Sequence, residues 1–279
     1  MEPMAYIALR AARRAGRIIL PAMDRVDTLT IEHKGKNDLV TEIDRQAEDA
    51  IVETILASYP GHTIVGEERG TRAAAGDGED ARYTWIVDPL DGTTNFLYGI
   101  PHFCTSIAVK RDGTLMHGVV VDHVHNEEFT ASRGDGARLN GRRLLRVSGH
   151  RQLDEAVIGT GLVSERAPDR IAAYGHMTGA LNRECRTLRR QGAAALDLAW
   201  VAAGRLDGYF EFGLKTWDMA AAAVIVREAG GFVSDADGGD RFLETGNVVA
   251  ANPRLIRHLL RSIRNGTEAA LGRPTALTS

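Results

Sequence analysis

The sequence predicts an α/β protein in two parts that meet near residue 146. The first part reads as two helices followed by mostly antiparallel strands, and in the second part strands and helices alternate. The chain has 279 residues, of which 44% are hydrophobic and 25% charged. This length and composition are typical of a folded protein that buries a large core without disulfide bonds.

Two helices are predicted in the first 60 residues. Apolar residues at three- and four-residue steps predict a helix over residues 4–20, which Pro21 is expected to end. Alternating residues predict a short strand over 29–32. Thr41 can cap a second helix that runs to Tyr59.

Strands dominate the rest of the first part. They are predicted over residues 63–66, 84–87, 105–110, 115–122 and 128–132. A hairpin turn is expected at 111–113, where Asp-Gly lies between two strands. Residues 70–80 are polar and rich in glycine, and they are predicted to form a mobile, solvated loop.

The second part predicts a sheet with helical connections. The strands are predicted over 157–160, 186–190, 208–212, 232–235 and 248–251, and the helices over 169–181, 193–203, 217–229 and 253–264. Asn252 followed by Pro253 indicates the start of the last helix, because asparagine caps helices and proline fits their first turn.

Charge and cysteine content favour a cytoplasmic enzyme. With 34 Lys and Arg against 37 Asp and Glu, the net charge is −3, which gives no general attraction to nucleic acid or membrane. Cys104 and Cys185 are interpreted as reduced core thiols in preference to a single disulfide. No apolar run is long enough to cross a bilayer, and the arginines spread through residues 10–17 do not fit a secretory signal.

The segment Asp-Pro-Leu-Asp-Gly-Thr-Thr-Asn at residues 88–95 is the main chemical signal. The preceding strand delivers Asp88 to its end, Pro89 lacks the N–H that would continue the ladder, and Gly92 permits a tight turn. Asp88 and Asp91 can then converge on one point, as oxygen ligands of a hard divalent cation do. The amides of residues 92–94 are expected to face outward as an anion-binding nest.

Residues 88–95, with 66–68 upstream and 217–220 downstream, resemble the inositol monophosphatase family. The similarity extends from residues 38–44 to 250–253, and residues 192–199 are most similar to the bacterial branch. The resemblance implies a layered αβαβα sugar-phosphatase-like fold, of the type shared with fructose bisphosphatase. It also implies a magnesium-dependent, lithium-sensitive phosphatase that is commonly a homodimer.

The metal ligands are those that the resemblance implies. Glu67, Asp88 and the carbonyl of Leu90 would bind one magnesium ion, and Asp88, Asp91 and Asp218 a second, with two or three ions in all. Most of these ligands belong to a lobe of residues 1–146, and a lobe of residues 147–279 would complete the site. Two such cations can stabilise both the entering and the departing oxygen of an in-line displacement at phosphorus.

The resemblance also assigns the catalytic pair and the substrate contacts. Thr93 and Asp44 match the pair that orients the attacking water, although Asp44 alone would be interpreted as a first-turn helix carboxylate that the helix dipole favours. For Asp218, at the start of a predicted helix, the alternative interpretation is an N-cap or dipole role. Glu211 would accept hydrogen bonds from inositol hydroxyls. The substrate-binding residues implied are Gly92, Thr93, Thr94, Arg189, Gly192, Ala193, Ala194, Glu211 and Asp218. Ala193 stands where family members often carry serine or threonine.

Three functions remain open from the sequence. The first is hydrolysis of inositol 1-phosphate or a similar polyol phosphate. The second is the same chemistry on fructose bisphosphate, histidinol phosphate or a 3′-phosphoadenosine nucleotide. The third is a regulatory role, because bacterial relatives in this branch are linked to transcription antitermination, and arginines between residues 138 and 151 offer an RNA contact. His123 and His125 are interpreted as solvated loop histidines.

Overall fold

The structure is a computed structural model that describes residues 1–28, 31–35, 38–74, 76, 78–161 and 168–270. Its α-helices are α1 (Pro3–Ala22), α2 (Glu42–Leu56), α3 (Thr93–Leu97), α4 (Pro168–Glu184), α5 (Ala194–Ala202), α6 (Thr216–Glu228), α7 (Phe242–Thr245) and α8 (Ile256–Ala270). Short 3₁₀ turns occupy Met23–Thr28, Glu79–Arg82 and Leu153–Glu155.

The strands form two sheets and one separate hairpin. In chain order they are β1 (Ile31–Gly35), β2 (Asp38–Thr41), β3 (Thr63–Gly66), β4 (Gly70–Arg72), β5 (Tyr83–Asp91), β6 (Cys104–Arg111), β7 (Thr114–Asp122), β8 (Glu127–Ser132), β9 (Gly136–Leu139), β10 (Arg143–Leu144), β11 (Val157–Thr160), β12 (Thr187–Arg189), β13 (Gly208–Glu211), β14 (Phe232–Ser234) and β15 (Val248–Ala251). The large sheet has the order β10-β9-β8-β7-β6-β5-β3-β4, and the small sheet β12-β11-β13-β15-β14.

The elements stack in five layers. Helices α1 and α2 cover one face of the large sheet through alanine, isoleucine and aromatic side chains. Helices α5 and α6 fill the space between the two sheets, and α4 and α8 cover the outer face of the small sheet. This is the predicted αβαβα arrangement. Each helix buries an apolar face against a sheet, which is the main favourable term in the folding of such layers.

The predicted division near residue 146 falls between the two sheets. The large sheet is complete at Leu144 and the small sheet begins at Val157. The helices α5 and α6, although they come later in the chain, pack on the large sheet. The two parts therefore share one central core, and the lobe boundary stays a prediction about chain organisation.

Several local predictions need correction. Helix α1 continues through Pro21 to Ala22, because a proline in the last turn removes only one donor near the helix end and Ala22 is buried. The predicted strand at 29–32 is described only from residue 31, where it forms β1; Leu29 and Thr30 lie outside the described residues. The sequence did not predict β9, β10 or α7.

The predicted loop at residues 70–80 contains strand β4 and the start of a 3₁₀ turn. Strand β4 pairs with β3 because the carboxylate of Glu48 on α2 accepts from the N–H groups of Glu68 (2.8 Å) and Arg69 (2.9 Å) and so fixes the turn. This contact joins residues 20 positions apart and has no local sequence signal.

Other predictions are confirmed. Thr41 caps α2, since its hydroxyl oxygen accepts from the N–H of Ile43 at 3.1 Å. The side chain of Asn252 accepts from the N–H groups of Arg254 and Leu255, as expected of a cap, but residues 253–255 form a turn and helix α8 begins at Ile256 instead of Pro253. Cys104 and Cys185 are both buried free thiols. Within the described residues, no helix is long and apolar enough to cross a membrane.

Candidate active site

Strand β5 carries two aspartates, Asp88 and Asp91, in its last residues before the turn at Gly92. Pairing between β5 and β6 shifts between Asp88 and Asp91, where Pro89 has no N–H to donate. The carbonyl of Pro89 instead accepts from the hydroxyl of Thr105 at 2.8 Å. Gly92 has a φ of +93°, and a Cβ added there would lie 3.1 Å from the backbone carbonyl oxygen of His102. The turn therefore requires glycine, as its sequence predicted.

Glu67 is brought beside this turn by strand pairing. Strands β3 and β5 run parallel with Gly66 opposite Val87, and the N–H of Glu67 donates to the carbonyl of Val87 at 3.2 Å. Glu67, which follows β3, and Asp88, near the end of β5, consequently lie close together at the carboxyl ends of these two strands. Parallel pairing makes this meeting of distant residues a direct consequence of topology.

Asp88 is buried among other acids. Burial is the main cause that raises its pKa well above the usual value, and the charges of Glu67, Asp91 and Asp218 raise it further. The N–H of Leu90 donates to its Oδ1 at 3.0 Å and opposes that rise. Three acids from three other places in the chain thus act on one carboxyl group.

Asp91 has a second set of neighbours. Burial raises its pKa to about 8, with further contributions from Asp197, Glu211 and Glu67. The N–H of Ala195 donates to Oδ2 at 2.7 Å and the N–H of Ala194 to Oδ1 at 3.3 Å. The start of α5 therefore holds this carboxyl group in place, and its N–H donors favour the charged form.

The acids suit a hard divalent cation in their chemistry. Carboxylate oxygens, together with the carbonyl of Leu90, are the oxygen donors that such ions take. Among the described residues, no three His, Cys, Asp or Glu side chains are already arranged as a ligand set. The acids nevertheless raise the pKa values of Asp88 and Asp91, and bound positive charge would relieve this repulsion.

Cys104 lies beside these acids but is not a suitable ligand for a hard divalent cation. Its Sγ is 3.7 Å from Oδ2 of Asp91. Burial first, and the charges of Asp91 and Asp88 next, raise the pKa of the thiol well above its usual value. A protonated thiol is a poor ligand for a hard cation, so Cys104 packs beside the acids as a neutral side chain.

Asp44 and Thr93 meet as predicted for a catalytic pair. The hydroxyl of Thr93 is within donor distance of Oδ1 of Asp44 (3.0 Å) and of the carbonyl of Leu90 (3.1 Å). The other oxygen of Asp44 accepts from the N–H and the hydroxyl of Thr41, at 2.9 and 2.5 Å. Asp44 therefore caps α2 with one oxygen and contacts Thr93 with the other. Burial raises its pKa, and these hydrogen bonds oppose the rise.

Asp218 lies in the first turn of α6. Its Oδ2 accepts from the N–H of Lys215 at 2.7 Å, so the capping role considered from the sequence is present. The hydroxyl of Ser106 on β6 donates to the carbonyl of Trp217 at 3.2 Å and ties this turn to the large sheet. Because Asp218 also raises the pKa of Asp88, the cap and the acid cluster share one side chain.

Two of the residues predicted to contact substrate lie on strands of the small sheet. Glu211 ends β13 and accepts from the hydroxyl of Tyr209. Arg189 is exposed on the edge strand β12, where its guanidinium donates to Thr187 Oγ1 at 2.7 Å and to the carbonyl of Leu188 at 3.0 Å.

The remaining predicted contacts belong to two turns. Thr94 is exposed in the first turn of α3, next to Gly92 and Thr93. Gly192 has a φ of +90° and precedes Ala193, which is buried just before α5. Ala194 N–H is already directed at Asp91.

A buried layer behind Asp91 was missed from the sequence. The side-chain amide of Asn95 donates to the carbonyls of His102 and Gln191, both at 2.7 Å. Oδ1 of Asp197 is 2.9 Å from His102 Nε2 and accepts from the Gln191 amide at 2.6 Å. These residues join the turn after α3 to the turn before α5. The available signal was a lone aspartate within an alanine- and leucine-rich helix, since a buried acid needs partners.

Comparison with known proteins gives a consistent result. The family model described as "Inositol monophosphatase family" matches residues 1–268. The chain is 51% identical to Nus factor SuhB of Pseudomonas aeruginosa, over 95% of this chain and 97% of that protein. It is 48% identical to Nus factor SuhB of Escherichia coli K12, over 98% of this chain and 100% of that protein.

Solved structures agree with the sequence comparison. The extragenic suppressor protein suhB from Bartonella henselae is 40% identical with a TM-score of 0.90, and the match covers 95% of this chain and 100% of that chain. The inositol monophosphatase from Anabaena is 33% identical with a TM-score of 0.81, over 98% of this chain and 97% of that chain.

Proposed function

The chain belongs to the inositol monophosphatase family, and on this premise we propose that it is a magnesium-dependent phosphomonoesterase. The substrate proposed is inositol 1-phosphate or a similar polyol phosphate, hydrolysed to the free polyol and phosphate. The burial of Asp88 among Glu67, Asp91 and Asp218 carries the proposal. Such a concentration of like charge destabilises the fold unless a bound cation offsets it.

The proposed magnesium ligands are Glu67, Asp88, the carbonyl of Leu90, Asp91 and Asp218, for two or three ions. When bound, magnesium would supply the positive charge that stabilises the phosphate oxygens as the ester bond breaks. The protein's own contribution is to hold the carboxylates by backbone donors from α5 and from the turn after β5. Those donors keep the acids oriented before any ligand arrives.

Thr93 and Asp44 are proposed to receive the proton of the attacking water. Oγ1 of Thr93 can accept that proton while its own proton passes to Oδ1 of Asp44, 3.0 Å away. Asp44 is a competent acceptor because its other oxygen is already fixed by Thr41. A positioned acid–base pair of this kind contributes about 10²- to 10⁴-fold to a rate.

The substrate end is proposed to lie between the turns at residues 92–94 and 192–194. Glu211, already bonded to Tyr209, would accept from a polyol hydroxyl. Ala193 offers no hydroxyl of its own, so binding there would rely on the backbone. Arg189 is proposed as a cation at the outer edge of this region or at a subunit interface.

Phosphate release tests the proposal. Wild-type protein is expected to release phosphate from inositol 1-phosphate only with magnesium, and Asp91→Asn is expected to lose most of that activity and of the magnesium uptake measured by calorimetry. Asp207→Asn is the matched control, because the carboxylate of Asp207 also accepts a backbone N–H, that of Val157, but is not among the groups acting on Asp88 or Asp91. Equal turnover and metal uptake in Asp91→Asn and wild type would remove the metal-site assignment.

The choice of ester is a separate question. Fructose bisphosphate, histidinol phosphate and a 3′-phosphoadenosine nucleotide are the alternative substrates. Side-by-side kcat/KM values decide among them, because discrimination between substrates is the ratio of these constants. A higher kcat/KM for any of the three than for inositol 1-phosphate would replace the proposed substrate and leave the chemistry unchanged.

A regulatory role in transcription is the second candidate function. It is favoured by the name Nus factor carried by two relatives at 51% and 48% identity. Arg142, Arg143 and Arg146 are exposed and are available for an RNA contact. RNA or polymerase binding that weakens with salt and persists in Asp91→Asn would support this role. Absence of both at low salt would exclude it.

A homodimer in the cytoplasm is proposed as the working form. Light scattering of the purified protein tests the dimer, and a mass near 30.2 kDa rather than twice that value would contradict it.

A further inference from the structure

A second cavity lies at the far end of α6 and β6 from the acids. It encloses about 600 Å³ and is bordered by the β6–β7 turn, the last turn of α6 and α7. Helix α6 carries Asp218 in its first turn and Glu228 at its end, so about 15 Å of helix separates them. The cavity is therefore distinct from the candidate active site.

Two basic side chains line this cavity without a hydrogen-bond or ion-pair partner among the residues that the structure describes. Lys110 is half-buried at the end of β6 and Arg133 is exposed after β8. Neither side chain makes a hydrogen bond or an ion pair with any residue that the structure describes. Burial lowers the pKa of Lys110, and the charge of Glu244 at the cavity rim opposes this. A partly desolvated ammonium group is stabilised by further negative charge.

Three other charged side chains of the lining, Arg227, Asp240 and Glu228, already have hydrogen-bond partners. The guanidinium of Arg227 bonds Asp240 and lies 5.2 Å from the centroid of the Phe242 ring. The two oxygens of Glu228 accept from N–H groups of the 134–136 turn, each at 2.9 Å. The charges that remain open to a ligand are therefore Lys110, Arg133 and, at the rim, Glu244.

We propose that this cavity binds a small phosphate-bearing molecule, with its phosphate held by Lys110 and Arg133. A guanidinium offers a planar pair of donors and an ammonium a compact point charge, and both bind phosphate oxygens. Leu115, Val224 and Leu243 supply the apolar part of the wall. The volume falls in the range of small-molecule sites.

Metal-free protein separates this site from the active site. Without metal, the acid cluster repels phosphate, so uptake of labelled inorganic phosphate in equilibrium dialysis reports the cavity. We expect a Kd of about 1 mM or tighter for the wild type. Lys110→Gln and Arg133→Gln should each weaken uptake about tenfold, since each removes a charge-assisted hydrogen bond. Glu244→Gln should strengthen uptake, because it removes the open acid at the rim.

The controls fix the interpretation. Lys110→Arg keeps the charge and should retain uptake, and Arg143→Gln removes an exposed arginine outside the cavity and should leave uptake unchanged. Arg133 and Glu244 are exposed, so their variants test the site even if substitution of Lys110 disturbs folding. No uptake by the wild type at about 10 mM phosphate, or equal uptake in wild type, Arg133→Gln and Glu244→Gln, would overturn the proposal.

Discussion

His123 makes the stability of this protein depend on pH. Its ring is buried between β6 and α1, where burial lowers its pKa to about 4, although Asp122 and Glu128 act in the opposite direction. The hydroxyl of Thr105 donates to the carbonyl of Pro89, so its oxygen accepts from Nε2–H of His123 at 2.8 Å. Nδ1 faces the backbone of Gly16, where an added Cβ would lie only 2.3 Å away.

The sign follows from the two pKa values. The folded pKa of about 4 lies below the ordinary value of 6.5, so the unfolded chain takes up a proton first as the pH falls. The contribution of His123 to the free energy of unfolding therefore keeps its full value above about pH 7 and decreases as the pH falls from 6.5 toward 4. With about 1.4 kcal/mol for each unit of pKa difference, this contribution decreases by about 2 kcal/mol between pH 8 and pH 5.

Urea unfolding at pH 8 and pH 5 measures this loss. The unfolding free energy of the wild type should decrease by about 2 kcal/mol relative to that of His123→Gln between pH 8 and pH 5, because the acids that also titrate are common to both proteins. His176→Gln, which removes an exposed histidine of α4, should follow the wild type at both pH values. If the unfolding free energies of His123→Gln and wild type change equally between the two pH values, the assigned pKa and the buried neutral ring are wrong.

Two substitutions test how the layers hold the site. Gly118→Ala should lower the unfolding free energy by about 1–3 kcal/mol or more, because its Cβ would lie 2.1 Å from the backbone oxygen of Ala221 on α6. Gly149→Ala is the control, since nothing lies within 4 Å of a Cβ added there, and it should change the unfolding free energy little. Equal melting temperatures for the two variants would contradict the close contact at Gly118. Asn95→Ala should weaken magnesium binding about 10- to 100-fold in calorimetry, because it releases the turn that supplies the donors to Asp91; unchanged affinity would show that this turn holds its shape without Asn95.

The parts of the site that follow from local chemistry were predictable. The Asp-Pro-Leu-Asp-Gly turn depends on its own residues, since proline removes one donor and Gly92 alone accepts the positive φ. The capping of α2 by Thr41 is equally local. The convergence of Glu67 and Asp218 on Asp88 was expected from the family resemblance, and strand pairing explains it for Glu67.

The residues that sequence reasoning misplaced depend on packing between distant elements. His123 was interpreted as a solvated loop histidine, but it is buried against Gly16, a neighbour more than 100 positions earlier in the chain. His125 is half exposed, as expected for a solvated histidine, but its ring is hydrogen-bonded to Asp122. The buried Asp197 is hydrogen-bonded to Gln191 and His102, and no local sequence pattern indicates that these residues contact it. Periodicity reports which face of an element is apolar, whereas these contacts depend on which two elements meet.

The acid cluster sets function against stability. Each acid accepts from a backbone N–H in a different part of the fold: Asp88 from Leu90, Asp91 from Ala195 and Asp218 from Lys215. Because of these hydrogen bonds, the fold cannot reduce the repulsion by moving one acid away from the others. The raised pKa values of Asp88 and Asp91 mean that ionising them destabilises the metal-free fold at neutral pH.

Asp91→Asn should therefore melt at or above the wild-type temperature without metal, since the amide oxygen can still accept from Ala195 while one of the repelling charges is removed. Magnesium should reverse the order, because a ligand that binds only the folded state stabilises the wild type more than a variant with weaker affinity. Thermal unfolding with and without magnesium measures both effects. If the metal-free variant melts well below the wild type, Asp91 stabilises the fold through its hydrogen bonds, and the stored repulsion inferred here does not exist.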